Sequence, residues 1–297
     1  MSSLDLLSIG RVSVDLYAEQ PGVTMSDVTT FRKSIGGTAT NVAVATARYG
    51  HAVALATRVG DDQFGRYVAD ALRNTFNVDP RFVATHPTLK TPLAFAELDP
   101  PEDPTIIFDR EPAAPDMEIE TTPPLLDAVD TARILWIPAS RFAFGRSRTT
   151  VTELLQRRNR KHHTVLDLDW RPMFWDSEEQ AHAAISPMLD HVTIAIGNRK
   201  ECEVAVGTDD PDEAADRMLD RGLDAAIVKL GGDGVMVATP QFRERLSPYP
   251  VEVVCGLGSG DAFGGAFCHG LLEGWSLPDT VRYGNAAGAI VAGRMMC

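Results

Sequence analysis

Gly256-Leu-Gly-Ser-Gly-Asp-Ala-Phe-Gly-Gly265 is the stretch whose reading decides the fold. Spaced glycines stand directly before an apolar segment that predicts a helix over Asp261–Glu273, with Asp261 at its start. Glycines let a backbone turn its N–H groups toward a ligand, and a helix N-terminus adds partial positive charge. The stretch therefore reads as an anion hole, or as a turn in which Asp261 caps its own helix. No Gly-Lys-Ser/Thr follows, so it is not a P-loop. Its third glycine is misplaced for a dinucleotide fingerprint.

Around this stretch, short apolar runs alternate with amphipathic ones. Strands are predicted at Leu4–Ile9, Val12–Glu19, Val53–Thr57, Ile134–Ile137, Thr164–Leu168, Val192–Ile196 and Ala225–Leu230. Besides the helix at Asp261, helices are predicted at Ala39–Tyr49, Phe64–Thr75, Ser147–Lys161, Ser177–Met188, Arg199–Val206, Asp210–Arg221 and Pro278–Ala292. Continuous apolar strands between amphipathic helices imply a mostly parallel sheet covered on both faces, an α/β architecture. Thr91–Leu98 and Thr105–Arg110 break the alternation. They read as a hairpin joined by Asp99-Pro-Pro-Glu-Asp-Pro104, either in a small separate sheet with Val12–Glu19 or at the edge of the main one.

Composition bounds the partners. The 297 residues carry 28 basic and 41 acidic side chains, a formal net charge of −13, and 44% are hydrophobic. That balance argues against nucleic acid and anionic membranes as partners. It also requires a local positive site for any anionic ligand. The four cysteines, Cys202, Cys255, Cys268 and Cys297, have neither zinc nor disulfide-framework spacing and read as free thiols. The N-terminus has no signal-peptide pattern and no apolar run is long enough to span a membrane, so the expected location is the cytoplasm. The seven basic residues from Arg141 to Lys161, with only Glu153 acidic among them, read as a solvated helix face.

Other stretches could carry chemistry. Ser34-Ile-Gly-Gly-Thr-Ala-Thr-Asn41 precedes a helix; it is either a tight turn or a place where a ligand approaches the backbone and Asn41 meets its hydroxyls. Asp167-Leu-Asp-Trp-Arg171 lies at the C-terminal end of a strand, where open α/β sheets bind ligands. Arg110 is the only basic residue among nine acidic ones between Glu97 and Glu120, and reads as charge balance or as a carboxylate clamp. Asn198-Arg-Lys-Glu201 has a capping-box pattern and could instead serve a metal–phosphate water network. Lys229-Leu-Gly-Gly-Asp-Gly234 is a hairpin turn or a phosphate-facing loop.

Taken together these stretches resemble the ribokinase-like (PfkB) family of carbohydrate kinases along nearly the whole chain and in the right order. The Gly36-Gly37…Asn41 segment resembles its first signature, Gly258-Ser-Gly-Asp261 its second, and Asn198-x-x-Glu201 its Asn-x-x-Glu motif. The resemblance implies a three-layer sandwich with a small β-sheet lid, built from segments near 11–37 and 91–112, that closes on substrate and serves as a homodimer contact. It implies phosphoryl transfer from ATP with Mg²⁺. Asp261 is then the general base, and the N–H groups of Gly258, Ser259 and Gly260 form the anion hole. Asp15, Gly37 and Asn41 hold sugar hydroxyls, and Arg110 and Arg171 a carboxylate. Asn198, Lys229, Gly232, Gly234 and Asn285 serve the nucleotide, and Glu201 serves Mg²⁺ through water.

Within the family, Gly10-Arg-Val-Ser-Val-Asp-Leu-Tyr17, Arg58-Val-Gly-Asp-Asp62 and Asp167–Trp175 resemble kinases of a keto sugar acid, 5-dehydro-2-deoxy-D-gluconate, phosphorylated at its terminal (6-) hydroxyl in myo-inositol breakdown. A 2-keto-3-deoxygluconate kinase or a neutral-sugar (fructose or ribose) kinase is the alternative. Cys255 and Gly256 stand where the family often carries Asp-Thr, so the resemblance stops short of its monovalent-cation site. The family usually continues past the position of Met295-Met-Cys297, and a C-terminal truncation is expected.

Overall fold

The computed structural model describes residues 3–20, 22–97, 105–143 and 145–294. Its first half runs β1 (Leu6–Ile9), β2 (Ser13–Ala18), β3 (Phe31–Gly36), α1 (Thr38–Arg48), β4 (Val53–Gly60), α2 (Gln63–Asp70), β5 (Asp79–His86), β6 (Leu93–Glu97) and β7 (Thr105–Asp109). The second half runs α3 (Pro123–Thr131), β8 (Ile134–Pro138), α4 (Arg146–Arg158), β9 (His163–Asp167), α5 (Glu178–Ile185), β10 (Ile194–Asn198), α6 (Arg199–Val206), α7 (Pro211–Asp220), β11 (Ala225–Lys229), β12 (Val235–Ala238), β13 (Arg243–Leu246), α8 (Ser259–Leu272) and α9 (Leu277–Ala292).

Nine strands form one sheet in the order β13-β12-β11-β10-β9-β8-β1-β4-β5. All neighbours are parallel except β11-β12 and β12-β13. Side chains alternate across it with a period of two. Leu7, Ile9, Leu135 and Ile137 enter the core under α3–α7, whereas Leu6, Leu55, Ile134 and Trp136 enter the one under α1 and α8. Both faces are buried, which is why β8 reads as an unbroken apolar run and β1 as one interrupted only by Ser8, whose hydroxyl donates to the Ala39 carbonyl.

The strands β3-β2-β6-β7 form a separate four-stranded sheet, so the edge-hairpin alternative is set aside. Asp15, Tyr17, Ala94, Ala96, Ile106 and Phe108 line the cleft between the sheets; Phe95 and Ile107, opposite each other in register, stand on the other face. The predicted connector Asp99–Pro104 lies outside the described residues, as do Cys297 and the rest of 295–297. The other three cysteines are buried free thiols. No helix of the described residues is long and apolar enough to cross a membrane.

Several boundaries differ from expectation. The helix at Phe64–Thr75 starts at Gln63 and widens into a π-helical turn from Ala71. The one at Ser177–Met188 tightens after Ile185. The basic run is not wholly a solvated face: Arg141 and Arg158 are fully buried. Arg158 donates to the carbonyls of Val129 and Ala132 at the end of α3, and Arg141 to the carbonyl of Asp116, which is what lets a guanidinium sit in the interior.

Candidate active site

The glycine loop ends in a helix that no side chain caps. Gly258 occupies the N-cap of α8 in the left-handed region at φ 74°, a conformation that favours glycine, and it offers the first N–H groups no side-chain acceptor. The alternative in which Asp261 caps α8 is thereby removed: Asp261 is the third residue of the helix. Its Oδ2 accepts a hydrogen bond from Asn41 Nδ2 at 2.7 Å. Burial pushes the Asp261 carboxyl up to about 6, with Asn41 holding it down and Asp169 adding to the rise. Such a carboxylate is a base near neutrality and is strong enough to accept a hydroxyl proton in a transition state.

Asn41 reaches Asp261 because α1 starts directly after the paired glycines, and the two positions need glycine for different reasons. A Cβ on Gly36 would lie 1.8 Å from Asp15 Oδ2. Gly37 has φ 103°, and a Cβ there would lie 2.4 Å from the Arg11 carbonyl oxygen. The pair thus lets β3 and the start of α1 close onto β2. Asp15 Oδ1 accepts from Ser13 Oγ at 2.6 Å, and burial raises its carboxyl above the usual range.

These residues share one cleft of about 440 Å³ between the two sheets, lined by Arg11, Asp15, Gly37, Asn41, Arg171, Gly258 and Asp261 among others. Arg171 is fixed by Asp169, whose Oδ1 accepts from Arg171 Nε at 2.9 Å and whose Oδ2 accepts from Ser140 Oγ at 2.7 Å. Although burial acts upward on Asp169, Arg171 and Arg11 hold its carboxyl below the ordinary range. Arg110 stands outside that lining. Its Nη2 donates to buried Asp116 Oδ1 at 2.6 Å, and it faces a neighbouring recess beside Phe174. The residue on the cleft wall that sequence reasoning passed over is Arg11. Its signals were a guanidinium two residues past the mostly apolar strand β1 and its place in the Gly10–Tyr17 stretch.

On the other side of the glycine loop, the C-terminal ends of β9, β10 and β11 bring Asp167, Asn198 and Lys229 together. Asn198 and Glu201 form a reciprocal capping box: Asn198 Oδ1 accepts from the Glu201 N–H at 2.9 Å, and Glu201 Oε2 accepts from the Asn198 N–H at 2.7 Å. Lys229 Nζ lies 3.8 Å from Glu201 Oε2 and 3.6 Å from where a Cβ on Gly260 would stand, so it backs the glycine loop. Burial acts against its charge, but Glu201 and Asp167 raise the lysine above its ordinary range. Burial, with Asp169, Glu201 and Asp261 nearby, pushes Asp167 well up. Asp167 and Glu201 bring hard carboxylate oxygens, the donor type that a magnesium ion takes, to these strand ends, without a ready cluster of ligands around one point among the described residues.

The remaining predicted nucleotide residues are more dispersed. Lys229–Gly234 is a hairpin turn, closed by the Leu230 N–H to the Gly234 carbonyl at 2.8 Å. Gly232 is exposed on it, and Gly234, at φ 93°, packs against the Leu246 carbonyl. Asn285 Nδ2 donates to the Ser247 carbonyl at 3.1 Å and lines a separate hollow of about 390 Å³ with Arg282 and Tyr249.

An uncapped glycine loop whose own helix carries a hydrogen-bonded carboxylate into the cleft has the elements needed to transfer an anionic group to a hydroxyl. The chain matches the pfkB family of carbohydrate kinases over residues 3–297 and belongs to that family. It is a carbohydrate kinase, a phosphotransferase with an alcohol group as acceptor. It is 31% identical to the 5-dehydro-2-deoxygluconokinase of Geobacillus thermodenitrificans (strain NG80-2), over 99% of this chain and 89% of that one. The 5-dehydro-2-deoxygluconokinase of Bacillus thuringiensis (strain Al Hakam) is 29% identical over 99% of this chain and 90% of its own.

Among solved structures, the PfkB protein from Polaromonas sp. JS666 superposes with a TM-score of 0.86 at 24% identity, covering 99% of this chain and 97% of that one. The fructokinase from Vibrio cholerae O395, in its fructose, ADP and calcium ion bound form, gives 0.83 at 22% identity, covering 98% and 93%. These likenesses bear out the ribokinase-like fold.

Proposed function

We propose that this protein transfers the γ-phosphoryl group of ATP to the terminal (6-) hydroxyl of 5-dehydro-2-deoxy-D-gluconate, a step of myo-inositol catabolism in the cytoplasm. The observation that carries the chemistry is the 2.7 Å bond that aims Asp261 from Asn41 at the mouth of the glycine loop. The hydroxyl oxygen forms its bond to the γ-phosphorus as the bridging P–O bond breaks. Its proton passes to Asp261, and ADP leaves. The N–H groups of Gly258, Ser259 and Gly260, backed by Lys229, face the charge on the transferring group. Asp15, Gly37 and Asn41 bind the sugar hydroxyls, and Arg171 its carboxylate, with Arg110 behind.

Asn198 and Glu201 would hold Mg²⁺ through water; bound with the nucleotide, it would neutralise charge on the β- and γ-phosphates. Gly232, Gly234 and Asn285 border the nucleotide. The four-stranded sheet acts as the lid that keeps water from the γ-phosphate. Its outer face, where Phe31 and Ile107 are exposed, is assigned to a homodimer contact that sedimentation would reveal.

The names of the relatives and the arginines at the cleft support the sugar-acid substrate. The test is ADP release across a panel of 5-dehydro-2-deoxy-D-gluconate, 2-keto-3-deoxygluconate, fructose and ribose. The highest kcat/KM on the first supports the reading. A higher value on either other class replaces it with the corresponding kinase.

A further inference from the structure

Arg11 is 6% exposed, yet it has no carboxylate oxygen within 4.0 Å among the described residues. Among the described residues its side chain makes one long hydrogen bond, Nη2 to Thr38 Oγ1 at 3.4 Å, and its Nε has no partner. The neighbouring guanidinium groups each have an oxygen partner, although Arg110 Nη1 and Arg141 Nε and Nη2 also lack one. Arg171 is bound to Asp169, Arg110 to Asp116, and Arg141 to the Asp116 carbonyl. The second oxygen of Asp116 faces the Val12 N–H at 3.3 Å. The remaining carboxylates of the cleft serve elsewhere: Asp15 is bound to Ser13 and Asp261 to Asn41.

A buried guanidinium with no carboxylate bonded to it is costly, and this one is held in place. Its carbon lies 5.2 Å from the centre of the Phe108 ring and 5.6 Å from that of Phe174, one ring from β7 and one from the loop after β9. It forms part of the cleft wall that also carries Asp261. From these observations we infer that Arg11 is the specificity-determining residue that takes the carboxylate of the sugar acid, with Arg171 as the second prong. Thr38, Phe108 and Phe174 hold it, and Arg110, Arg141 and Asp116 bond to one another beside it. This rests on the sugar-acid reading above. A planar carboxylate fits because it takes two parallel N–H bonds from one fork and supplies the directly bonded anion that Arg11 lacks, Asp169 and Asp116 acting on it only from beyond bonding distance.

The experiment compares wild type, Arg11→Met and Arg11→Lys on 5-dehydro-2-deoxy-D-gluconate and on its C1 amide, which keeps the hydroxyls and loses the charge. Wild type should prefer the acid. In Arg11→Met the acid-to-amide ratio of kcat/KM should fall about 10- to 100-fold, chiefly through KM for the acid, the range for losing a charge-assisted bond. Arg11→Lys keeps the charge without the fork and should lose about 3- to 10-fold. It carries the test if the methionine variant does not fold. An acid preference undiminished in the folded variants overturns the role of Arg11 while leaving the sugar-acid reading intact. A wild type with no preference for the acid overturns both. A sugar phosphate that competes more tightly than the acid in wild type, and loses that advantage in Arg11→Met, makes the site one for phosphate and overturns the carboxylate assignment.

Discussion

Asn41→Ala should move the acid limb of the kcat/KM–pH profile upward. In the wild type Asn41 Nδ2 donates to Asp261 Oδ2 at 2.7 Å, and this bond favours the ionised carboxylate. A hydrogen bond to a charged acceptor is worth about 1.5–3 kcal/mol. At about 1.4 kcal/mol per pKa unit, its loss raises the Asp261 carboxyl by about one to two units. The sign follows from the role. The base must be ionised to accept a proton, so activity falls as pH drops through its pKa. The wild-type limb should therefore lie near pH 6, where burial has pushed Asp261, and the variant limb between about 7 and 8. At pH 6.5 the variant should lose about 3- to 25-fold beyond any loss on its alkaline plateau. The assay is coupled ADP release from pH 5 to 9 at constant ionic strength and saturating Mg·ATP. A limb that stays near pH 6 while the plateau drops would refute the coupling and leave Asn41 as a sugar contact only.

Other perturbations probe neighbouring parts of the account. Asp261→Asn should lower kcat by at least about 10²-fold with nucleotide affinity retained. The same variant should be more stable than wild type at pH 7.5 by about 1–2 kcal/mol, because the folded protein no longer holds a carboxylate whose pKa burial raises; the gain should shrink as pH falls from about 6 toward about 4, checked by urea unfolding near the two ends, at about pH 7.5 and about pH 4.5. Gly36→Ala, whose Cβ would meet Asp15 Oδ2 at 1.8 Å, should raise KM for sugar far more than KM for ATP in steady-state kinetics. Arg158→Ala strips the Val129 and Ala132 carbonyls of buried donors and should cost about 2–4 kcal/mol in urea unfolding while the folded fraction keeps its kcat. Potassium titrated into tetramethylammonium buffer should activate less than about tenfold, since Cys255 and Gly256 bring no side-chain oxygen to the loop.

The parallel sheet was legible because a strand buried on both faces must be apolar throughout, as Ile134–Ile137 and Ala225–Val228 are. The strands that escaped notice are β3, β5 and the antiparallel edge pair β12-β13. Asp79–His86 and Arg243–Leu246 expose much of their length, so their polar residues hide the pattern. The short helix Pro123–Thr131 escaped as well. In the site, Asp261 and Asn41 were each visible beside glycines, but their bond spans 220 positions and depends on how α1 meets α8. Buried arginines are the least legible feature. Composition places guanidinium groups at the surface, and only the carbonyls of α3 and the rings of Phe108 and Phe174 explain why Arg158 and Arg11 lie inside.

Phosphorus and carbon NMR of the product mixture tests the central claim most directly. With Mg·ATP and 5-dehydro-2-deoxy-D-gluconate, the account predicts one phosphate monoester, on C6, for each ADP formed, and an initial rate of ester formation at least about 10²-fold lower when Asp261→Asn replaces the wild type at equal concentration. ADP released with inorganic phosphate instead of the ester, or an ester formed at wild-type rate by Asp261→Asn, would contradict it.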